Sequence, residues 1–153
     1  MNRKLTHLDD HGNARMVDIS EKQAVRRTAR AEGSVKLSAG TGQLILEKGL
    51  PKGNPFEVAR LAGIQAAKQA SRLIPLCHDL SLDFVDVQIE LDENDLVITS
   101  RVSCRWATGV EMEALTAVAV AALTVYDMCK AVDKGMIIGG IRLVEKTKGN
   151  VDP

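Results

Sequence analysis

The stretch Leu82 to Arg105, LDFVDVQIELDENDLVITSRVSCR, decides the fold. In its first half Val85, Val87, Ile89 and Leu91 fall on one side, and Asp86, Gln88 and Glu90 on the other. Period two with one apolar side is the signature of a half-buried strand. Asp92-Glu93-Asn94-Asp95 turns the chain, and a partner strand runs from Leu96 to about Arg105. The segment reads as a β-hairpin.

Beyond the hairpin, Thr108 stands at a helix N-cap position and Glu111 three residues later completes a capping box. The helix is expected to run to about Val132. Its middle, from Ala114 to Val125, has almost no polar side chain. A helix that is apolar all round must be covered all round. One sheet covers one side, so a second subunit is expected on the other. Ala117 to Leu123, the most apolar segment, falls short of the roughly 20 residues that cross a bilayer, and no membrane partner is expected. Met136 to Lys146 reads as the last strand, with Gly139-Gly140 as a bend or bulge.

Before the hairpin, Val25 to Leu37 alternates again, with Arg26, Thr28, Arg30, Glu32, Ser34 and Lys36 on the wet side. Gly42 to Gly49 predicts a short helix. Asn54 and Pro55 open a longer one, with Glu57 as capping acid, running to about Arg72. Phe56, Ala59, Gly63, Ala66, Ala67 and Ala70 form a stripe whose small members let another backbone come close. Arg15 to Ile19 is expected to be a short strand. The order predicts an α+β fold of the ferredoxin-like kind, an antiparallel sheet with helices packed on one face. A flexible segment is expected over 1–14, one domain over 15–148 and a tail over 149–153.

The chain has 153 residues, enough for one self-sufficient domain. Lys+Arg and Asp+Glu are 20 each, and aromatic residues are 3%. A nucleic-acid binder usually carries basic surplus and stacking rings, so no nucleic-acid partner is expected. A sheet that reads RNA would also show aromatics on its strands. Three cysteines at irregular spacing make no disulfide framework and suit a reducing cytoplasm. Residues 1–12 have no apolar core, so no signal peptide is expected there. Cys77, His78, Cys104 and Cys129 lack the recurrent spacing of zinc ligands, so no metal site is expected.

Several polar residues stand out against this background. His78 sits in a connection, where sites collect. Asp127 and Lys130 are three apart on a helix and therefore share a face. An exposed helical ion pair would look the same. Lys52 precedes a helix N-terminus, an arrangement suited to an anion such as phosphate. Lys68 lies in the alanine-rich run of the following helix. Glu111 and Glu113 open the long helix, where the dipole favours acids. Glu113 and Asp127 are about 21 Å apart along that helix. One small ligand can meet both only if two subunits bring opposite ends together. The rival to an enzyme is a ligand-sensing module of the same fold, which needs no Asp127–Lys130 pair.

Six segments carry a family resemblance: Met16-Val17-Asp18-Ile19-Ser20, Lys52-Gly53, Ala62 to Lys68, Leu73 to His78, Thr108 to Ala117 and Ala121 to Ala131. TGVEMEALTA and YDMCKA are the most specific stretches. Together they resemble the molybdenum-cofactor biosynthesis protein C family, the cyclic pyranopterin monophosphate synthases. The resemblance implies a cytoplasmic lyase acting on a cyclised dihydroguanosine triphosphate. It would yield cyclic pyranopterin monophosphate and diphosphate. It also implies a homohexamer of three dimers with sites between subunits. Asp127 would be the catalytic acid/base, with Lys130 and Lys52 beside it. Leu76, Cys77, His78, Met112, Glu113, Glu111 and Lys68 would bind substrate. No resident cofactor is implied, although Mg²⁺ is compatible with the phosphates. Asn54 departs from the family's common Asp, Asp79 from its common Pro, and the turn at Arg105-Trp106-Ala107 is short.

Overall fold

A computed structural model describes residues 6–149. The alternation from Val25 forms β1, Val25–Lys36, with Ala29, Ala31, Gly33 and Val35 buried on one side. The hairpin forms as expected. β2, Phe84–Asp92, pairs antiparallel with β3, Asp95–Trp106, across a two-residue turn at Glu93-Asn94. β3 pairs with one edge of β1, and β4, Ile137–Gly149, pairs with the other, both antiparallel. The sheet order is β2-β3-β1-β4. The expected glycine irregularity is real. Between the pairs Glu32↔Arg142 and Ser34↔Gly139 the register shifts, and Gly140 takes φ +63° there.

Helix α1 is Thr41–Leu46, α2 is Pro55–Ala67, α3 is Ala70–Leu73 and α4 is Glu111–Cys129. The order β1-α2-β2-β3-α4-β4 with both crossovers split by a strand is the α+β arrangement expected. Ala114, Ala117, Val118, Ala121 and Val125 of α4 are fully buried against the sheet and α2. By length and composition α4 alone among the described residues could cross a membrane, but half of it is buried inside the domain.

Several expectations are corrected. Residues 15–19 form no strand; the Val17 carbonyl turns instead to the His78 ring. Residues 6–14 close into a hydrogen-bonded loop through a Leu8↔Ala14 bridge. Residues 1–5 and 150–153 lie outside the described ones, while Gly149 belongs to β4. α1 is shorter than expected. The helix from Asn54 breaks at Lys68-Gln69 instead of running to Arg72, because Gln69 leaves helical geometry at φ −117° and ψ 10°. Asn54 caps α2 by accepting the Phe56 N–H, but Glu57 pairs with Arg60 at 2.6 Å and not with the cap. Thr108 caps nothing. Val110 is the N-cap, without a side-chain bond, and Glu111 pairs with Lys146 at 3.2 Å. α4 stops at Cys129, short of Val132.

The small-residue stripe does what its composition suggested. A Cβ on Gly63 would sit 2.9 Å from the Ala117 carbonyl oxygen of α4 and 3.2 Å from Val87. Backbone cannot yield as a side-chain tip can. Gly63→Ala should therefore cost about 1–3 kcal/mol by overpacking. Urea unfolding checks this; an unchanged midpoint would show that the two helices separate freely.

Candidate active site

Lys52 meets the end of α4, and Gly63 of α2 lies on Ala117, so the two helices run antiparallel. The polar residues accordingly form two groups, one at each end of α4. At the far end Asp127 is held from both sides. Lys52 Nζ lies 2.6 Å from Oδ2 and Lys130 Nζ 2.7 Å from Oδ1. Lys130 reaches back from the C-cap of the same helix. Lys52 comes from a turn in which the Gly53 N–H closes on the Leu50 carbonyl and Gly53 takes φ +85°. Lys52 also donates to the Asp127 backbone carbonyl at 3.1 Å, in the last turn, where helix carbonyls lack internal partners. In this state the ammonium faces Asp127 and not the α2 N-terminus.

Hydrogen bonds from Lys130, then Lys52, hold the Asp127 carboxyl down at about 2. Asp127 in turn raises the Lys130 ammonium above its ordinary value. All three side chains are about half exposed, and exposed pairs of this kind add little to stability. The depressed carboxyl keeps the cluster intact above the ordinary pKa of 3.8 and loses it only as pH falls through about 2.

Past the end of α4 comes Asp133, which is 2% exposed. It accepts from the Ser38 N–H at 2.7 Å, the Ser38 hydroxyl at 2.7 Å, the Thr41 hydroxyl at 2.9 Å and the Gly135 N–H at 2.9 Å. Burial pushes this carboxyl up, but the bonds from Ser38, Gly135 and Thr41 outweigh it and hold it below the usual range. Asp133 thereby ties the segment after α4 to the start of α1.

At the near end of α4, a cavity of about 410 Å³ is walled by Leu76, Cys77 and His78 on one side and Glu111, Met112 and Glu113 on another. Val17, Ile19 and Lys22 close a third side. Glu113 is 4% exposed. Burial pushes its carboxyl up, its own N–H offsets part of that, and Glu111 adds to it. Burial and the Glu113 charge raise the Cys77 thiol too, the opposite of the lowering that activates a cysteine nucleophile. Lys68 is exposed at the C-cap of α2, toward this end of the pair.

The nine residues other than Lys68 expected at the site thus divide into Asp127, Lys130 and Lys52 at one end and the other six around the cavity. Sequence reading missed Lys22, Arg27 and Lys146. Arg27 donates to the Ala107 carbonyl at 3.3 Å, and its buried Nε has no partner among the described residues. With Glu111, Lys146 and Lys148 it lines an adjoining cavity of about 290 Å³. Its signal was visible: an arginine on the apolar side of the β1 alternation. Lys146 had none. Another cavity, about 660 Å³, lies on the open face of the sheet and holds none of the expected residues.

Glu113 supplies a sharp test of this geometry. A carboxyl whose pKa is raised by burial destabilises the fold as pH climbs through that pKa, because the folded state prefers the proton. Glu113→Gln should raise the melting temperature at pH 7.5 by about 2–4 °C, equivalent to ~1 kcal/mol in a domain of this size, and should lower activity. Calorimetry at pH 4 and 7.5 checks it; a fall in stability at both pH values would contradict the assignment.

The chain was compared with known proteins. The family model for the MoaC family matches residues 16–149. A cyclic pyranopterin monophosphate synthase of Magnetococcus marinus is 54% identical over 95% of this chain and 90% of its own length. Another, from Parvibaculum lavamentivorans, is 54% identical over 96% and 93%. A molybdenum cofactor biosynthesis bifunctional protein of Chlorobaculum tepidum is 53% identical over 95% of this chain and 47% of its own length. The match spans both ends of α4 and the loops that build the cavity, and the chain belongs to the MoaC family.

Proposed function

We propose that the chain is a cyclic pyranopterin monophosphate synthase, a lyase of molybdenum cofactor biosynthesis. It converts the cyclised dihydroguanosine triphosphate to cyclic pyranopterin monophosphate and diphosphate. The observation that carries this reading is Asp127 clamped between Lys52 and Lys130 in a chain half identical to relatives of that name. A triphosphate brings concentrated negative charge, which ammonium groups stabilise most when diphosphate departs. With Asp127 held at about 2, its carboxylate is a weak base until substrate draws the lysines toward phosphate. That relief raises its proton affinity at the moment a proton must move.

The same reading makes the enzyme a cytoplasmic homohexamer, three dimers with sites at subunit interfaces. Three features support it: the separation of Glu113 from Asp127, the exposure of Leu123 on α4 with Val58 and Leu61 on α2, and three free thiols. No resident cofactor is assigned; Mg²⁺ can enter with the phosphates. Leu76, Cys77, His78, Glu111, Met112 and Glu113, with Lys68, form the substrate-binding pocket. Purified protein incubated with the cyclised triphosphate should release diphosphate and the pterin product in equal amounts. Neither product forming would refute the activity.

A further inference from the structure

The Met16 to Ser20 run is not used by the chemistry above, yet it forms a wall of the Glu113 cavity through Val17 and Ile19, followed by Lys22. Its shape is set locally. Asp18 Oδ1 accepts from the Ser20 N–H at 2.9 Å and the Ser20 hydroxyl at 2.6 Å, and the Ile19 carbonyl accepts from the Lys22 N–H at 3.0 Å. Its place is set elsewhere. Among the described residues, one hydrogen bond crosses from residues 6–22 to the rest of the chain: His78 Nε2 to the Val17 carbonyl, 2.8 Å.

A carbonyl oxygen can only accept, so Nε2 must carry the proton, and in the neutral ring Nδ1 is then the acceptor. Nδ1 makes no hydrogen bond among the described residues. We propose that His78 is a positioning residue: its Nε2–H clamps the Val17 carbonyl and so presents Ile19 as an apolar wall and Lys22 as a cation to the substrate. Lys22 is the strap's ammonium in the cavity, and the chemical class it would meet is an anionic oxygen of the substrate, phosphate above all. The proposal rests on the synthase reading for its substrate and on the hydrogen bond alone for the clamp.

The full-length chain with His78→Gln and His78→Asn tests it. A glutamine amide nitrogen reaches the place of Nε2; an asparagine nitrogen reaches only that of Nδ1. His78→Gln should raise KM clearly less than His78→Asn does, the rescue expected of a side chain that still reaches the Val17 carbonyl. His78→Asn should raise KM about tenfold, the effect of losing one hydrogen bond of ordinary strength, with kcat changed less. Lys22→Ala should raise KM similarly, and combining it with His78→Asn should add little, because the two act through one strap. In ligand-free protein, imidazole nitrogen NMR should find the proton on Nε2, and the Lys22 amide should exchange faster in His78→Asn but not in His78→Gln. Active Asn with inactive Gln would overturn the proposal and make Nδ1 a direct substrate contact. Additive effects with Lys22→Ala, or a proton on Nδ1, would overturn it too. A wild-type chain without turnover would sink the synthase reading alone, and exchange and NMR would still decide the clamp.

Discussion

Asp127→Asn should lower turnover by roughly 10²–10⁴-fold while substrate still binds. The carboxylate holds Lys52 and Lys130 at 2.6 and 2.7 Å. An amide keeps the shape but removes the charge that orients two ammonium groups and the site that can take a proton. Lys52→Ala is expected to behave differently. On the proposed reading it removes a phosphate contact, so substrate affinity should fall, and rate as well to the extent that the contact strengthens as diphosphate leaves. Binding and single-turnover rates measured for both variants separate the roles. Normal turnover in Asp127→Asn, or a defect in binding alone, would return Asp127 and Lys130 to the status of a surface ion pair.

Mixing two inactive chains should restore activity. Glu113→Ala removes the buried acid from one end of α4 and Asp127→Ala the clamped one from the other, about 21 Å away along the axis. In an assembly where the near end of one α4 faces the far end of a neighbour, some mixed interfaces inherit both intact residues. Random pairing in a dimer gives about half mixed species, each with one intact site of two, so recovery to the order of a quarter of wild-type activity is expected if the sites lie between chains. Co-expression followed by assay of the whole purified mixture measures it, with two tags used only to verify that mixed oligomers are present. Verified mixed oligomers with no activity would place both residues in separate sites.

The elements themselves were largely legible. Val85, Val87 and Ile89 alternate because side chains of a strand point to opposite faces, and the same rule found β1. Asn54 caps α2 as its side-chain chemistry directs. Thr108 looked equally able to cap α4, but the helix starts at Glu111, with the Glu111 carboxylate folded over the bare Gly109 and toward Lys146. That competition depends on β4, which is distant in sequence. The break of α2 at Gln69 likewise had no local marker, since no proline or glycine stands there.

By itself the sequence determined the hairpin, the two main helices, the glycine bulge in the last strand and the shared face of Asp127 and Lys130. Each follows from periodicity, capping or spacing among near neighbours. Only the tertiary structure decided that Lys52 closes on Asp127 from 75 residues away, that Arg27 lines one cavity with Glu111, and that Val17 is tied to His78 from 61 residues away. Those contacts depend on how far α2 and α4 slide along each other and which strand lies beside which. These are set by the packing of Gly63 on Ala117 and by the sheet order, and no local pattern of residues encodes either one.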